Sequence, residues 1–264
     1  MDPNTYYTTL RNLGVLLDSE LTMKQHVNKV TSACFYHLRR LRQLKRHVSR
    51  DTLRQLVSAF ILNRLDYCNS LLYGLPWSTI APLQRVQNAA ARIVLGLTPR
   101  DHVTSALQIM IKVNVIKVIN VITVGRRPIH YRIQFKIALL MYNALDGRCP
   151  EYIKDIVAPV ASNPGRQQLR SAARSDVIVP RWRTKFGSRA FSIAGPEVWN
   201  RLPQSVRLAD TVSQFIRLLK THYTSSCISV LTNSAVIVSN LVFTLHTFYD
   251  YCNASRSGFV YRGH

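Results

Sequence analysis

Lysine and arginine are the side chains whose number and spacing in this sequence point most directly to a function. The 264 residues include 35 Lys and Arg against 13 Asp and Glu, which gives a formal charge of +22. Such an excess of like charge repels itself unless an anionic partner is near. The composition therefore favours a nucleic acid or an acidic membrane surface as the partner, with an inert basic surface as the structural alternative.

The candidate phosphate-binding residues form two clusters along the chain. In the second cluster, cations alternate with an aromatic ring, which suits contacts to a nucleic acid backbone together with base stacking. A solvated helix face, or aliphatic stems that cover a small core, would explain the same residues without a ligand. The first cluster is Arg39, Arg40, Arg42, Lys45 and Arg46 with Arg85 and Arg92, and the second is Arg181, Trp182, Arg183 and Lys185.

Carboxylates are too sparse for a catalytic metal centre. Asp18 and Glu20 are the only two within two residues of each other, whereas two-metal phosphoryl transfer needs several that converge. The sequence also lacks a glycine-rich phosphate loop, a G-x-S-x-G and an H-E-x-x-H. We therefore expect no catalytic residue, no metal and no cofactor. Four possible zinc ligands match no standard finger in their spacing: His222, Cys227, His246 and Cys252.

Two features concern the cellular compartment. The five cysteines lie far apart and include no C-x-x-C, which is typical of reduced intracellular thiols. Met1 to Leu10 is polar and has no apolar signal region. We expect an intracellular protein, nuclear or cytoplasmic.

The elements that must position the cations are mainly helical. Leu13 to Leu17 predicts a strand, followed by a turn at Asp18-Ser19. Thr22 and Gln25 fit a capping box at the start of a first helix. Its apolar stripe is Val27, Val30, Cys34, Leu38 and Leu41, and the opposite side carries the basic residues from Arg39 to Arg46.

Two further helices complete a predicted small bundle. Ser49 would cap the second helix and Gly74 with Pro76 would end it. Ser78 would cap the third helix, which Gly96 would end. The predicted core positions are Leu53, Leu56, Val57, Phe60 and Ile61 on the second helix and Leu83, Val86, Ala90, Ile93 and Leu97 on the third. The predicted polar face of the third is Gln84, Arg85, Gln87, Asn88 and Arg92.

The second half of the chain predicts more helices around an irregular loop. Val103 to Val124 fits helix and strand templates equally well, so its type stays open. A helix from Tyr131 to Leu145 would end at Gly147, and a short one would follow Pro150. An arginine-rich loop occupies Ala158 to Asp176. A capping box at Thr211 and Gln214 would begin a final helix with Phe215, Leu218 and Leu219 on its inner face.

The last forty residues differ in character. Ile228 to Tyr249 contains no charged residue and has the length of a membrane helix, although Asn and Ser residues dilute it. This run could form a buried tail or a membrane anchor, and the anchor is the minority interpretation. We expect the mainly α fold to comprise an N-terminal strand and turn, a small helical bundle, and a second mostly helical segment with irregular Arg-rich loops.

Five segments occur in one order that resembles a known family. Together they closely resemble the C-terminal region of reverse transcriptases from LINE-type, non-LTR retrotransposons of the jockey kind. The likeness covers roughly residues 10 to 224 with one gap. The segments are LGVLLDSELTMKQHV (Leu13 to Val27), LDYCNSLLYGLP (Leu65 to Pro76), LQRVQNAAARIV (Leu83 to Val94), HYRIQFKIALLMYNAL (His130 to Leu145) and FSIAGPEVWNRLP (Phe191 to Pro203).

The resemblance implies a division of the chain into five parts. Residues 1–20 would correspond to the end of the polymerase palm, 21–100 to the helical thumb that grips a template-primer duplex, and 130–224 to a C-terminal extension. Residues 101–129 and 225–264 depart from the family pattern as a diverged segment and an unrelated apolar tail. The Tyr/Phe-x-Asp-Asp motif of the palm precedes this region in the family, so no catalytic aspartate carries over.

Three hypotheses follow. The first is a truncated reverse-transcriptase fragment that binds RNA or DNA through its basic helices, without polymerase activity, with the missing palm as a further partner. The second is a basic, tail-anchored membrane protein. The third rests on the likeness of Leu13 to Leu44 to a segment of AlkB-type RNA-modification proteins, but the His-x-Asp pair that such a dioxygenase needs does not occur.

Overall fold

The protein is mainly helical, and its secondary structure begins with one hairpin. The computed structural model describes residues 9–98, 128–166, 168, 174–184 and 186–232. Strands β1 (Thr9–Asn12) and β2 (Val15–Asp18) pair antiparallel. The helices are α1 (Lys24–Leu44), α2 (Arg50–Val57), α3 (Asn63–Asp66), α4 (Trp77–Leu95), α5 (Ile129–Leu145), α6 (Glu151–Lys154), α7 (Phe191–Asn200), α8 (Gln204–Arg207) and α9 (Val212–Thr232). The predicted fold class is confirmed.

Shorter turns connect these helices. A π turn at Ser58–Leu62 joins α2 to α3, and 3-10 turns lie at Asn69–Leu72, Val160–Ser162, Pro164–Arg166 and Gly187–Arg189. Val103 to Val124 lies outside the described residues, as does the apolar run after Thr232. Among the residues that are described, no helix is both long and apolar enough to cross a membrane.

Contacts within the chain define two compact units, Met1–Tyr223 and Thr224–His264. In the second unit the described residues, 224–232, are helical. The first unit contains the hairpin and the remaining helices, so the helices on either side of residues 99–127 share one core. The boundaries predicted near residues 20, 100 and 129 stay predictions.

The apolar stripe of α1 packs against α4 and forms the centre of the N-terminal bundle. Val27, Cys34, Leu38 and Leu41 are buried, as the periodicity predicts, and Val30 is half-buried. Burial raises the pKa of the Cys34 thiol to about 11, so this cysteine is a core residue and not a nucleophile. On α4, the buried residues are Ile80, Leu83, Val86, Ala90 and Ile93 together with Thr79 and Gln87.

The entry into α1 differs from the predicted capping box. Met23 occupies the cap position in a left-handed conformation, and the amides of Thr22 and Met23 both donate to the Asp18 carboxylate at 2.9 Å. Gln25 faces the hairpin, where its Oε1 accepts from the Thr9 hydroxyl. Burial acts to raise the pKa of Asp18, but these hydrogen bonds and one from the Thr22 hydroxyl outweigh it and lower the pKa. The carboxylate at the end of β2 thus stabilises the turn into α1.

The structure corrects two predictions about the second helix. Ser49 caps α2 as predicted, accepting from the Thr52 amide at 3.1 Å. The turn at Ser58–Leu62 then adds one residue to a helical turn, which brings Ile61, Leu62 and Leu65 into the core and leaves Phe60 40% exposed. The prediction of Phe60 as a core residue is therefore wrong. The helix ends at Asp66, earlier than predicted, because Tyr67 is extended and Cys68 is left-handed.

The third predicted helix begins two residues early and buries part of its polar face. Pro76 occupies the cap position of α4, so Ser78 is inside the helix and makes no cap. Gly96 ends it in a left-handed conformation, as predicted. Gln87 is buried, and Gln84 accepts from the Ile129 amide at 2.9 Å, so neither belongs to a solvent-facing ligand surface.

An ion pair between a buried arginine and a partly exposed aspartate joins α3 to α5. Arg132, only 7% exposed, donates through Nε to Asp66 Oδ1 at 2.8 Å and through its terminal nitrogen to Oδ2. The rest of α5 buries Ile133, Ile137 and Met141, whereas Leu145 is exposed at the last turn. The Arg132–Asp66 pair fixes the helix after residues 99–127 against the bundle before them.

The C-terminal part of the first unit packs around three aromatic rings. Tyr142 stacks on Phe215 at 4.3 Å between ring centroids, and Trp199 stacks on the same phenylalanine at 5.9 Å. The predicted cap of α9 is confirmed, since Thr211 Oγ1 accepts from the Gln214 amide at 3.2 Å. The predicted loop from Ala158 is tied down by a bridge between Pro159 and Val177. Asp176 in that loop pairs with the buried Arg207.

Replacing Asp66 should destabilise the protein far more than replacing an exposed aspartate of the same fold. Asp66→Asn leaves the buried Arg132 charge without its partner, and we expect a loss of about 2 kcal/mol because the carboxylate is 44% exposed. The matched control is Asp51→Asn, whose ion pair with Arg54 is 82% exposed on the aspartate side and should contribute below about 0.5 kcal/mol. Urea unfolding measures both, and equal losses would contradict the structural role.

Stability should fall as the pH is lowered through the range in which an ordinary histidine titrates. His26 is buried, its Nδ1 accepts from the Leu16 amide at 3.4 Å, and burial followed by the charge of Lys29 lowers its pKa. A lowered folded-state pKa means that the stabilisation is complete above the unfolded value of about 6.5 and is lost below it. The free energy of unfolding should change less between pH 7.5 and pH 5.5 in His26→Gln than in the native chain. The same change in both proteins would contradict the role of His26.

Candidate nucleic-acid interface

Three cations of the first cluster line one cleft between α1 and α4. Arg42 and Lys45 at the end of α1 and Arg92 on α4 surround a cavity of about 340 Å³, together with Ala89, Ile93 and Leu97. The packing of the two apolar stripes brings these helix ends side by side. The fold thus brings Arg92, predicted on the polar face of the third helix, next to the basic end of the first.

Two helix C-termini also meet at this cleft, which explains part of the positive charge structurally. The Lys45 ammonium would lie 3.7 Å from a Cβ placed on Gly96, the left-handed cap of α4. Each helix end carries about half a negative charge. The cations at this cleft thus compensate the negative ends of both helices.

Carboxylates are absent from both helices that form the cleft. Neither Lys24–Leu44 nor Trp77–Leu95 contains an Asp or Glu. On the neighbouring α2, Asp51 is in an ion pair with Arg54. An anion that enters the cleft therefore meets no negative side chain from the two helices that line it, which is the electrostatic requirement for binding phosphate.

The other members of the first cluster do not line the cleft. Arg39, Arg46 and Arg85 are exposed. Arg40 lies on the flank of α1 away from the cleft, with its guanidinium 5.9 Å from the centre of the Tyr36 ring. The first cluster is thus a broad basic surface with one concave site.

An aromatic group that the sequence interpretation missed lies beside Arg40. Phe60, turned outward by the π turn, stacks on His37 with ring centroids 5.3 Å apart and planes 22° apart. His37 also meets Tyr36 edge to face at 5.4 Å, and Tyr36 is 51% exposed. Regular helical periodicity places Phe60 in the core, so only the local change of helix type reveals it. No motif in the sequence signals that change.

The second basic cluster divides into exposed and internal residues. Arg181, Trp182 and Arg183 lie exposed on an extended segment, whereas Lys185 lies outside the described residues. Arg189, four residues after Lys185, faces inward. Its guanidinium donates to the carbonyls of Leu21 at 2.8 Å and Leu71 at 3.4 Å. Burial lowers the pKa of Arg189, with Asp18 acting in the opposite sense.

The two clusters lie near opposite ends of α1. Arg189 contacts Leu21, just before α1. Trp182 lies close to Gly187, two residues before Arg189, since a Cβ placed on Gly187 would lie 3.7 Å from the Trp182 Cβ. Lys45 directly follows the last residue of α1. A helix of 21 residues is about 30 Å long, so Leu21 and Lys45 lie roughly that far apart.

The titratable side chains do not suggest a metal centre. Within the part of the chain that is described, no group of three or more His, Cys, Asp and Glu side chains could hold a metal ion. The expectation of no catalytic residue and no cofactor stays a prediction. The arrangement is suited to electrostatic binding.

Arg189 should contribute to stability, whereas its exposed neighbour should not. Arg189→Gln removes charge-assisted hydrogen bonds to two carbonyls and should cost about 2 kcal/mol of unfolding free energy. The control Arg183→Gln, six residues earlier and exposed, should change stability by less than about 0.5 kcal/mol. Chemical denaturation compares the two, and equal values would show that Arg189 does not join these segments.

Comparisons with known proteins provide no family assignment. No protein-family model, curated protein or solved structure matches the chain. The function proposed below therefore rests on the residues and geometry described above.

Proposed function

We propose that this chain binds RNA or DNA through the phosphate backbone, as the C-terminal helical region of a jockey-like reverse transcriptase without polymerase activity of its own. One observation carries the binding proposal: Arg42, Lys45 and Arg92 converge in a cleft between two helices that contain no carboxylate. Phosphate contacts of this kind supply affinity that does not depend on sequence.

The size of the ligand follows from the separation of the two clusters. A nucleic acid strand advances about 3.4 Å per base pair in duplex form. A duplex that reaches from Arg42 and Lys45 to Arg181 and Arg183 therefore needs roughly nine base pairs. This length requirement separates a polynucleotide from free nucleotides and small anions, which would occupy only one cluster.

The salt dependence of binding should report the cleft directly. A chain in which Arg42, Lys45 and Arg92 are replaced by Gln should bind a 20-base-pair duplex more weakly. The slope of log affinity against log salt should become shallower by about 2 to 3, since each lost phosphate contact removes about 0.9. Fluorescence anisotropy at several salt concentrations gives the slope. A native chain that binds no nucleic acid at low salt would overturn the proposal.

A second glycine-capped helix end provides a matched control for Lys45. Lys154 lies beside Gly147 at the end of α5, 3.5 Å from a Cβ placed there, but Asp146, Glu151 and Asp155 lie close to it in sequence. Lys45→Gln and Lys154→Gln should each lower stability by less than about 1 kcal/mol through the helix dipole. Only Lys45→Gln should lower affinity for the duplex. Equal effects on affinity would show that net charge, not the cleft, determines binding.

Affinity should rise steeply with duplex length between about 8 and 16 base pairs. Only the longer duplex can contact both clusters, so we expect its affinity to be more than tenfold higher. The larger number of binding positions on the longer duplex would by itself raise the affinity only about twofold. Replacing Arg181 and Arg183 with Gln should remove most of that gain and leave the affinity for the 8-base-pair duplex unchanged. A length dependence that the double variant retains would show that the second cluster does not contribute.

The relation to reverse transcriptases has a separate test. Support for it comes from five segments, Leu13 to Val27 through Phe191 to Pro203, which stand in the order of the family. The DNA immediately upstream of the Met1 codon should encode a polymerase palm with an Asp-Asp motif. Unrelated upstream DNA together with a supported transcript would contradict the relation, but would leave the binding proposal untouched.

A further inference from the structure

An exposed aromatic ladder crosses from α1 to the π turn. Its members are Tyr36 and His37 on α1 and Phe60 on the π turn, with successive ring centroids 5.4 and 5.3 Å apart. Tyr36 is 51% exposed and Phe60 is 40% exposed. Large rings left in water in this way lose the stabilisation that burial would give them, so their exposure calls for a reason beyond folding.

The backbone itself turns Phe60 outward. A regular helix through Ser58–Leu62 would direct position 60 toward the core with Val57 and Ile61, whereas the π turn brings Leu62 and Leu65 inward instead. Single π turns inside helices are uncommon and occur frequently at functional sites. The ring is thus held on the surface by a specific irregularity of the chain.

Cations lie beside the ladder on both of its segments. The Arg40 guanidinium lies 5.9 Å from the centre of the Tyr36 ring, and Arg64 Nε donates to the Phe60 carbonyl at 3.0 Å. Arg64 is exposed, as are Arg39 and Asn63. Neither α1 nor residues 52–65 contain an Asp or Glu. Burial and then the charge of Arg64 lower the pKa of His37, which favours a neutral ring in the middle of the ladder at pH 7.

We propose that Tyr36, His37 and Phe60 form a stacking surface for one or two unpaired bases of a single-stranded nucleic acid, with Arg40 and Arg64 contacting the adjoining phosphates. This inference rests on the proposed function and adds a ligand class to it. Stacking on exposed rings beside cations is how proteins bind single strands without reading sequence, because every base has a π face. A paired base within a duplex presents no free face to the ladder.

The test compares a single-stranded 12-mer with a blunt 20-base-pair duplex on native chain and variants. Phe60→Leu and Tyr36→Leu keep an apolar side chain but remove the ring, and each should lower affinity for the single strand roughly tenfold while leaving duplex affinity unchanged. Tyr152→Leu, at a 66% exposed ring on α6, is the matched control and should change neither affinity. Circular dichroism and the melting temperature verify that each variant is folded.

Fluorescence of 2-aminopurine placed in the single strand provides a second readout. Stacking quenches this base, so native chain should quench it and Phe60→Leu should quench it less. Native binding to both ligands with no selective loss in either ladder variant would overturn the stacking proposal and leave the phosphate-binding proposal standing. A native chain that binds neither ligand would overturn both.

Discussion

The burial of one apolar stripe of α1 against α4 determines the positions of most functional candidates in this protein. Val27, Cys34, Leu38 and Leu41 have to face α4, so the arginines between them face solvent or the edge of the interface. The same packing places the two helix ends together, and with them Arg42, Lys45 and Arg92. The cation cleft is thus a consequence of how the core is assembled, since the residues that form it alternate with those that hold the helices together.

Three of the thirteen carboxylates of the chain are used inside the fold. Asp18 holds the turn into α1, Asp66 neutralises the buried Arg132, and Asp176 neutralises the buried Arg207. Each satisfies groups that would be costly to leave unpaired in the interior. Neither α1 nor α4 contains an Asp or Glu of its own. The same distribution of acids stabilises the fold and leaves one surface strongly positive.

Periodicity predicted the helices and most of their core, because the spacing of apolar residues follows directly from helix geometry. Details that depend on tertiary contacts were not predictable in this way. Asp18 stabilises the turn into α1 only because β2 ends beside it, and Arg189 faces inward only because two distant carbonyls lie within its reach. In the candidate site, the exposed cations could be found from the sequence, but their convergence and the outward position of Phe60 required the fold.

The π turn at Ser58–Leu62 makes this segment sensitive to chain length as well as to residue type. It contains, in effect, one residue more than a regular helix would use to connect Val57 with Leu65. Loss of a single codon here could restore an unbroken helix, and each residue in a regular helix turns by about 100°. The aromatic surface could therefore be gained or lost by one in-frame insertion or deletion, with nearly the same amino acids on either side. Among relatives of this chain, a gap in that segment would be more informative than any substitution within it.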